Sequence, residues 1–253
     1  MIAEQNVVEA APKAIWSTRP LTMAFQPVVN TNTNRITAFE AVFNSADGQC
    51  VADYAAALPE EILPTFDLRC RIAAIEQAIA AGILDRDVRL AVKVMPAYIG
   101  DPEADAERML RITRRLGFPN RRLVFEFSER DDLESVKMTA LVKAYQNRGF
   151  IAAFDDFGAA DNGLALLSHF TPDTIKLAPE LVHRLCSSWS RRLVVEKVVQ
   201  ITQRNNIRLI AEGVETRSEY DRLRSLGVPL MQGDFIAAPQ VGRLPSPMPI
   251  AQG

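Results

Sequence analysis

Residues 151 to 158 read IAAFDDFG: four apolar residues run into two adjacent carboxylates, Asp155 and Asp156, followed by an aromatic and a glycine. A buried strand ends on two like charges where something positive faces them. The segment is therefore read as a strand whose C-terminal end reaches a polar site. Comparable β-branched or aliphatic runs recur near 24 to 29, 36 to 43, 88 to 94, 122 to 127, 174 to 177, 207 to 211 and 228 to 235. From residue 88 onward their starts lie 34, 29, 23, 33 and 21 residues apart, a spacing that leaves room for one helix per strand.

Helix boundaries are legible between the runs. Asp101-Pro102 supplies an N-cap and a first-turn proline, and Gly117 follows the last turn of that segment. Thr216 and Glu219 have the spacing of a capping box, in a helix ending at Gly227, and Gly149 separates a helix from the strand quoted above. In 191 to 203, Val194, Val198 and Ile201 are read as the sheet-facing stripe. The first two runs are joined by TNTNR, turn-rich and too short for a helix, so the second strand is expected antiparallel to the first. The expected fold is α/β: a TIM-like (β/α)8 barrel with an antiparallel first strand, preferred over an open doubly wound sheet because no GxGxxG follows the first run. Residues 1 to 20 are read as a flexible lead-in, 21 to 241 as the barrel and 242 to 253 as a proline-rich tail.

With 253 residues and 48% hydrophobic composition, the chain has enough apolar material for a large core. A formal charge of -2 leaves no basic footprint for a long nucleic acid. Cys50, Cys70 and Cys186 lack CxxC spacing, which argues against a disulfide or zinc framework and for a reducing, cytoplasmic setting. No 18-residue apolar run marks a membrane segment, and the N-terminal stretch lacks the core of a signal peptide.

In such a barrel, function gathers at the C-terminal strand ends. The polar residues there are Glu40, Lys93, Glu126 with Glu129 after it, Asp155 and Asp156, Lys176, Glu212 with Glu215 after it, and Gln232. Any one of them alone is more often structural, capping the next helix. Together they place five strand-end acids and two lysines around one cavity. Converging carboxylates call for hard divalent cations, Mg²⁺ or Mn²⁺, and two such ions suit attack of water on a phosphodiester. The chain has only two histidines, His169 and His183, and both are read as packing or surface residues rather than ligands of zinc.

These motifs resemble the EAL domain family, whose active members hydrolyse cyclic di-GMP to the linear dinucleotide pGpG. The resemblance runs from about residue 20 to 240 through FQPVV, EAV at 40 to 42, FEFSE at 125 to 129, DDFG at 155 to 158, IKL at 175 to 177, AEGVE at 211 to 215 and MQG at 231 to 233. It implies that Glu40, Glu126, Asp155, Asp156 and Glu212 are metal ligands, that Asp155, Glu212 and Lys176 carry catalysis with Lys176 orienting the attacking water, that Gln232 supports that side and that Glu129 holds the loop begun by Asp156. It also implies cyclic di-GMP as ligand and pairing as a homodimer.

Several positions depart from the family pattern. Lys93 stands where active members have a metal-ligating asparagine, Asn44 where they have a phosphate-binding arginine, and Ala178 where the strand ends in aspartate. Ala159, Ala160 and Asp161 replace the usual loop, and Asp234 follows MQG. A lysine cation about 4 Å from a divalent ion costs roughly 8 kcal/mol at an effective dielectric of 20, before neighbouring carboxylates offset it. Two outcomes stay open. Lys93 replaces a metal by pairing with Glu40 and Glu126, leaving a regulatory module that binds cyclic di-GMP weakly or contacts a protein partner and needs no metal. Alternatively, Lys93 swings out and an active phosphodiesterase remains.

Overall fold

The computed structural model describes residues 21–45, 51–130, 134–160 and 163–246. The predicted lead-in, Asp161 and the end of the predicted tail lie outside the described residues. Eight strands close a barrel: β1 (Thr22–Asn30), β2 (Arg35–Asn44), β3 (Arg89–Lys93), β4 (Leu123–Ser128), β5 (Ile151–Phe157), β6 (Thr174–Leu177), β7 (Arg208–Ala211) and β8 (Leu230–Met231). β2 to β8 pair in sequence order and in parallel, and β1 closes the ring antiparallel to both β2 and β8. A two-residue strand, β9 (Gln240–Val241), adds to the outside of β1. The antiparallel opening read from TNTNR is thus present.

Helices cover the outside: α1 (Val51–Ala56), α2 (Leu63–Ala80), α3 (Pro102–Leu116), α4 (Ser135–Gln146), α5 (Gly163–Leu166), α6 (Pro179–Val182), α7 (Trp189–Arg204) and α8 (Arg217–Ser225). The Asp101 carboxylate accepts from the amides of Glu103 and Ala104 at the start of α3, Gly117 is left-handed after its last turn, and Thr216 and Glu219 form the reciprocal capping box of α8.

Three expectations change. The buried face of α7 is Val195, Val198, Val199 and Thr202, spaced at i, i+3, i+4 and i+7, while Val194 is 42% exposed. The expected strand 228 to 235 is only Leu230–Met231, because Pro229 has no amide hydrogen and Gly233 (φ 153°) turns the chain along Val214. Leu244, within the stretch expected as tail, is buried against the core.

The two-residue period of a strand decides where the site forms. Inside the barrel, Ala91, Val124 and Ala153 make one apolar cluster, and Val28, Ala38 and Ile210 make another. Two residues further toward the C-terminal end of β2, β3, β4, β5 and β7, the same period places Glu40, Lys93, Glu126, Asp155 and Glu212 on the inner face. Lys176 follows Thr174 on β6, and Gln232 follows Leu230. The outward-facing Leu90, Phe125, Phe127 and Phe154 pack under the helices. An apolar floor and a charged upper layer thus follow from one alternation.

Candidate active site

Lys176 is the centre of the layer. It is 1% exposed, and its Nζ lies 2.6 Å from Glu212 Oε1, 2.7 Å from Glu126 Oε1, 2.9 Å from Glu40 Oε2 and 3.4 Å from Asp155 Oδ1. Burial works against its charge, but the surrounding carboxylates outweigh that and hold its pKa well above the ordinary lysine value. Gln232 Nε2 donates to Glu40 Oε2 (2.6 Å) and to Gln26 Oε1 (3.0 Å), and Gln26 Nε2 donates to Asp234 Oδ1 (3.2 Å).

The second cation is Lys93, the last residue of β3. Its Nζ lies 3.0 Å from Asp155 Oδ2 and 3.5 Å from Asp156 Oδ2, with the side chain 42% exposed. This corrects both readings of Lys93. It does not swing clear of the site, and its partners are the β5 aspartates rather than Glu40 and Glu126, because Lys176 already holds those two glutamates.

Asp155 lies on the inner face, so strand alternation alone would turn Asp156 outward. It does not, because Asp156 adopts a left-handed backbone (φ 56°) where the β5–β6 register breaks, and both carboxylates join the site. Ser128 Oγ donates to Asp156 Oδ2 at 2.7 Å. Glu129 Oε2 accepts from the Gly158 amide at 2.6 Å. A side chain at Gly163 would come within 2.6 Å of the other Glu129 oxygen, so glycine there leaves Glu129 its position.

The layer opens onto a cavity of about 310 Å³, lined by Gln26, Glu40, Lys93, Asp155, Asp156, Glu212, Glu215, Gln232 and Asp234, among others. Asn44 does not line it; it ends β2, where its carbonyl accepts from the Thr22 hydroxyl. Ala178 is fully buried before α6. His183 Nε2 lies 3.1 Å from the Gly213 carbonyl oxygen, a packing contact. Sequence reading passed over three residues here: Gln26, Ser128 and Arg130. Gln26 carried a signal, being polar inside the apolar run of β1, whereas Ser128 and Arg130 looked like ordinary loop residues.

Charge sets the titration of the acids. Burial, then the neighbouring Glu40, pushes Glu126 up to about 8, against the pull of Lys176. Burial and the Asp155 charge raise Glu212 well above the usual carboxylate range. Asp155 goes the other way: burial opposes its ionisation, but Lys176 and Lys93 overcome it and hold the carboxyl well below that range.

Oxygen atoms of Asp155, Asp156 and Glu212 lie within 4.8 Å of one another, an all-oxygen set that suits Mg²⁺ or Mn²⁺. Glu126 Oε2 is buried without a hydrogen-bond donor among the described residues, a second mark of a site that accepts more positive charge. The residues therefore fit one divalent ion at Asp155, Asp156 and Glu212. A second ion is not fitted, since Glu40 Oε2 and Glu126 Oε1 face the Lys176 ammonium and Lys93 offers a cation where a ligand is needed.

Residues 8–239 match the EAL domain model. The chain is 28% identical over 225 residues to the blue light- and temperature-regulated antirepressor BluF of Escherichia coli strain K12, covering 88% of this chain and 55% of BluF. It spans about half the length of the curated relatives it matches. Among solved structures, a standalone EAL protein from Vibrio cholerae O395 in its cyclic di-GMP-bound form superposes with a TM-score of 0.83 at 31% identity, covering 91% of this chain and 97% of that one. Klebsiella pneumoniae BlrP1, solved with manganese and cyclic di-GMP, gives 0.82 at 29% identity, covering 88% of this chain and 57% of BlrP1. No described helix is long and apolar enough to cross a membrane. The barrel with its inverted first strand, the layer of strand-end acids around a buried lysine and the match over residues 8–239 make this chain a member of the EAL domain family, related to the cyclic di-GMP phosphodiesterases.

Proposed function

We propose that this chain is a regulatory EAL module in cyclic di-GMP signalling, whose hydrolytic activity is weak or absent and which acts by binding cyclic di-GMP weakly or by contacting a protein partner. The observation that carries this reading is the Lys93 ammonium, 3.0 Å from Asp155 Oδ2. It supplies from within the protein part of the positive charge that a second metal would bring. Asn44 and Asp234 support the same reading, since neither offers a cation to a phosphate group. The family accommodates such a role: BluF, matched over most of this chain, is named an antirepressor, whereas other relatives are named phosphodiesterases.

The second reading is a metal-dependent phosphodiesterase producing pGpG. The Asp155, Asp156 and Glu212 oxygens and the unpartnered Glu126 Oε2 favour it. In that case one divalent ion would polarise phosphate and water, while Lys176, buried beneath the cavity, holds Glu40, Asp155 and Glu212 in position and Gln232 fixes Glu40. Incubation with cyclic di-GMP and Mn²⁺ separates the two: little or no linear product is expected, and turnover at rates typical of enzymes overturns the regulatory reading. Calorimetry with cyclic di-GMP in Ca²⁺ then divides a ligand-binding module from a protein-binding one.

A further inference from the structure

We propose that Arg130 is a built-in competitor for metal at Asp156, so that the chain's affinity for a divalent ion is set by a clasp across the mouth of the barrel as well as by its carboxylates. The inference rests on the metal-site reading above and adds a residue to it. Arg130 follows β4 directly, and its Nε lies 3.3 Å from Asp156 Oδ1. Its Nη2 donates to Glu180 Oε1 at 2.5 Å, at the start of α6. The guanidinium thus lies between the two acids, Nε toward the second aspartate of the site and Nη2 toward the connection after β6.

The local backbone aims it there. The Arg130 amide donates to Ser128 Oγ at 3.1 Å, and the same hydroxyl donates to Asp156 Oδ2 at 2.7 Å. Both Asp156 oxygens are therefore engaged from within the chain, Oδ1 by Arg130 and Oδ2 by Ser128, with Lys93 3.5 Å away. A divalent ion bound by Asp155, Asp156 and Glu212 needs an Asp156 oxygen, and there it competes with the charge-assisted contact for the same carboxylate. The clasp is a gate rather than a lock. Arg130 is 49% and Glu180 54% exposed, and ion pairs so open to water contribute little.

The test is Mn²⁺ binding to the full chain, read from the free-ion electron paramagnetic resonance signal without cyclic di-GMP. Arg130→Gln is expected to bind Mn²⁺ about fivefold more tightly than the parent, the equivalent of one exposed ion pair. Arg121→Gln removes an exposed arginine from the N-terminal side of β4 and is expected to leave the affinity unchanged. An Arg130→Gln affinity within twofold of the parent, or an equal gain in Arg121→Gln, overturns the clasp. Arg130→Ala run alongside, with circular dichroism on each variant, separates a lost fold from an unchanged affinity. The outcome is independent of hydrolysis: a parent that turns over cyclic di-GMP defeats the regulatory reading, while the Mn²⁺ comparison alone decides the clasp.

Discussion

Two clusters in this barrel set acids against a buried cation, and they differ in what they leave unmet. Under the helices, Arg71 is 1% exposed and ion-paired to Asp67 (2.7 Å) and Asp105 (2.8 Å), while the Tyr145 hydroxyl and the Met95 amide engage the same carboxylates. Two acids share one guanidinium, and the cluster joins α2, α3, α4 and the end of β3. At the mouth of the barrel, five acids face Lys93 and Lys176, a buried Glu126 oxygen has no donor among the described residues, and a cavity of about 310 Å³ opens above. In the first arrangement both acids are paired, and only the Arg71 Nε is left without an acceptor among the described residues. The second gathers more acids than cations beneath an open cavity and perturbs their titration, which is the mark of a site for a cation or a polar ligand.

Removing the two central cations should separate these roles most strongly. Arg71→Met leaves Asp67 and Asp105 buried with no ion-pair partner, an expected loss of about 3–5 kcal/mol in urea unfolding that Mn²⁺ does not repair. Lys176→Met exposes its four acid partners to one another and should also destabilise, but added Mn²⁺ should restore part of the loss, since an ion bound only to the folded state stabilises it. If both variants respond to Mn²⁺ alike, the distinction fails.

A smaller effect comes from pH. Glu126, with its pKa pushed up to about 8 from the ordinary 4.5, holds a proton in the folded state that it gives up when unfolded. The folded state binds more protons between those values, so this group's contribution is fully present below about 4.5 and is lost as pH rises toward 8. Glu212 acts in the same direction. In metal-free buffer the urea midpoint of the parent should fall over that window, and less steeply in Glu126→Gln; equal slopes would mean that Glu126 is not the group titrating. Asp105, held low by Arg71 against the effect of burial, contributes stability that is lost only in acid, as pH falls below the ordinary 3.8. The smallest effect expected is that of Ser128→Ala, about 1 kcal/mol for one hydrogen bond to Asp156, with no shift at the Arg71 cluster.

Most of the barrel was legible because it rests on local signals: alternation in the strands, Asp101 and Thr216 as caps, and TNTNR as a turn too short for a helix. The α7 stripe was misplaced by one residue because Val194 and Val195 are equally apolar, and only packing chooses between them. The acids of the site were legible as charges ending apolar runs. Their partners were not, since which carboxylate a long lysine reaches depends on strand register and on what Lys176 already holds. Arg130 could not be found from spacing at all, because its contacts cross from the end of β4 to β5 and α6.

The central claim is that Lys93 stands in for metal charge and silences hydrolysis. The direct measurement is linear pGpG formed from cyclic di-GMP in Mn²⁺ by the parent and by Lys93→Asn, side by side. Little or no product from the parent, with a clear gain in the variant, is the predicted result; vigorous hydrolysis by the parent, undiminished or unimproved in Lys93→Asn, would contradict it.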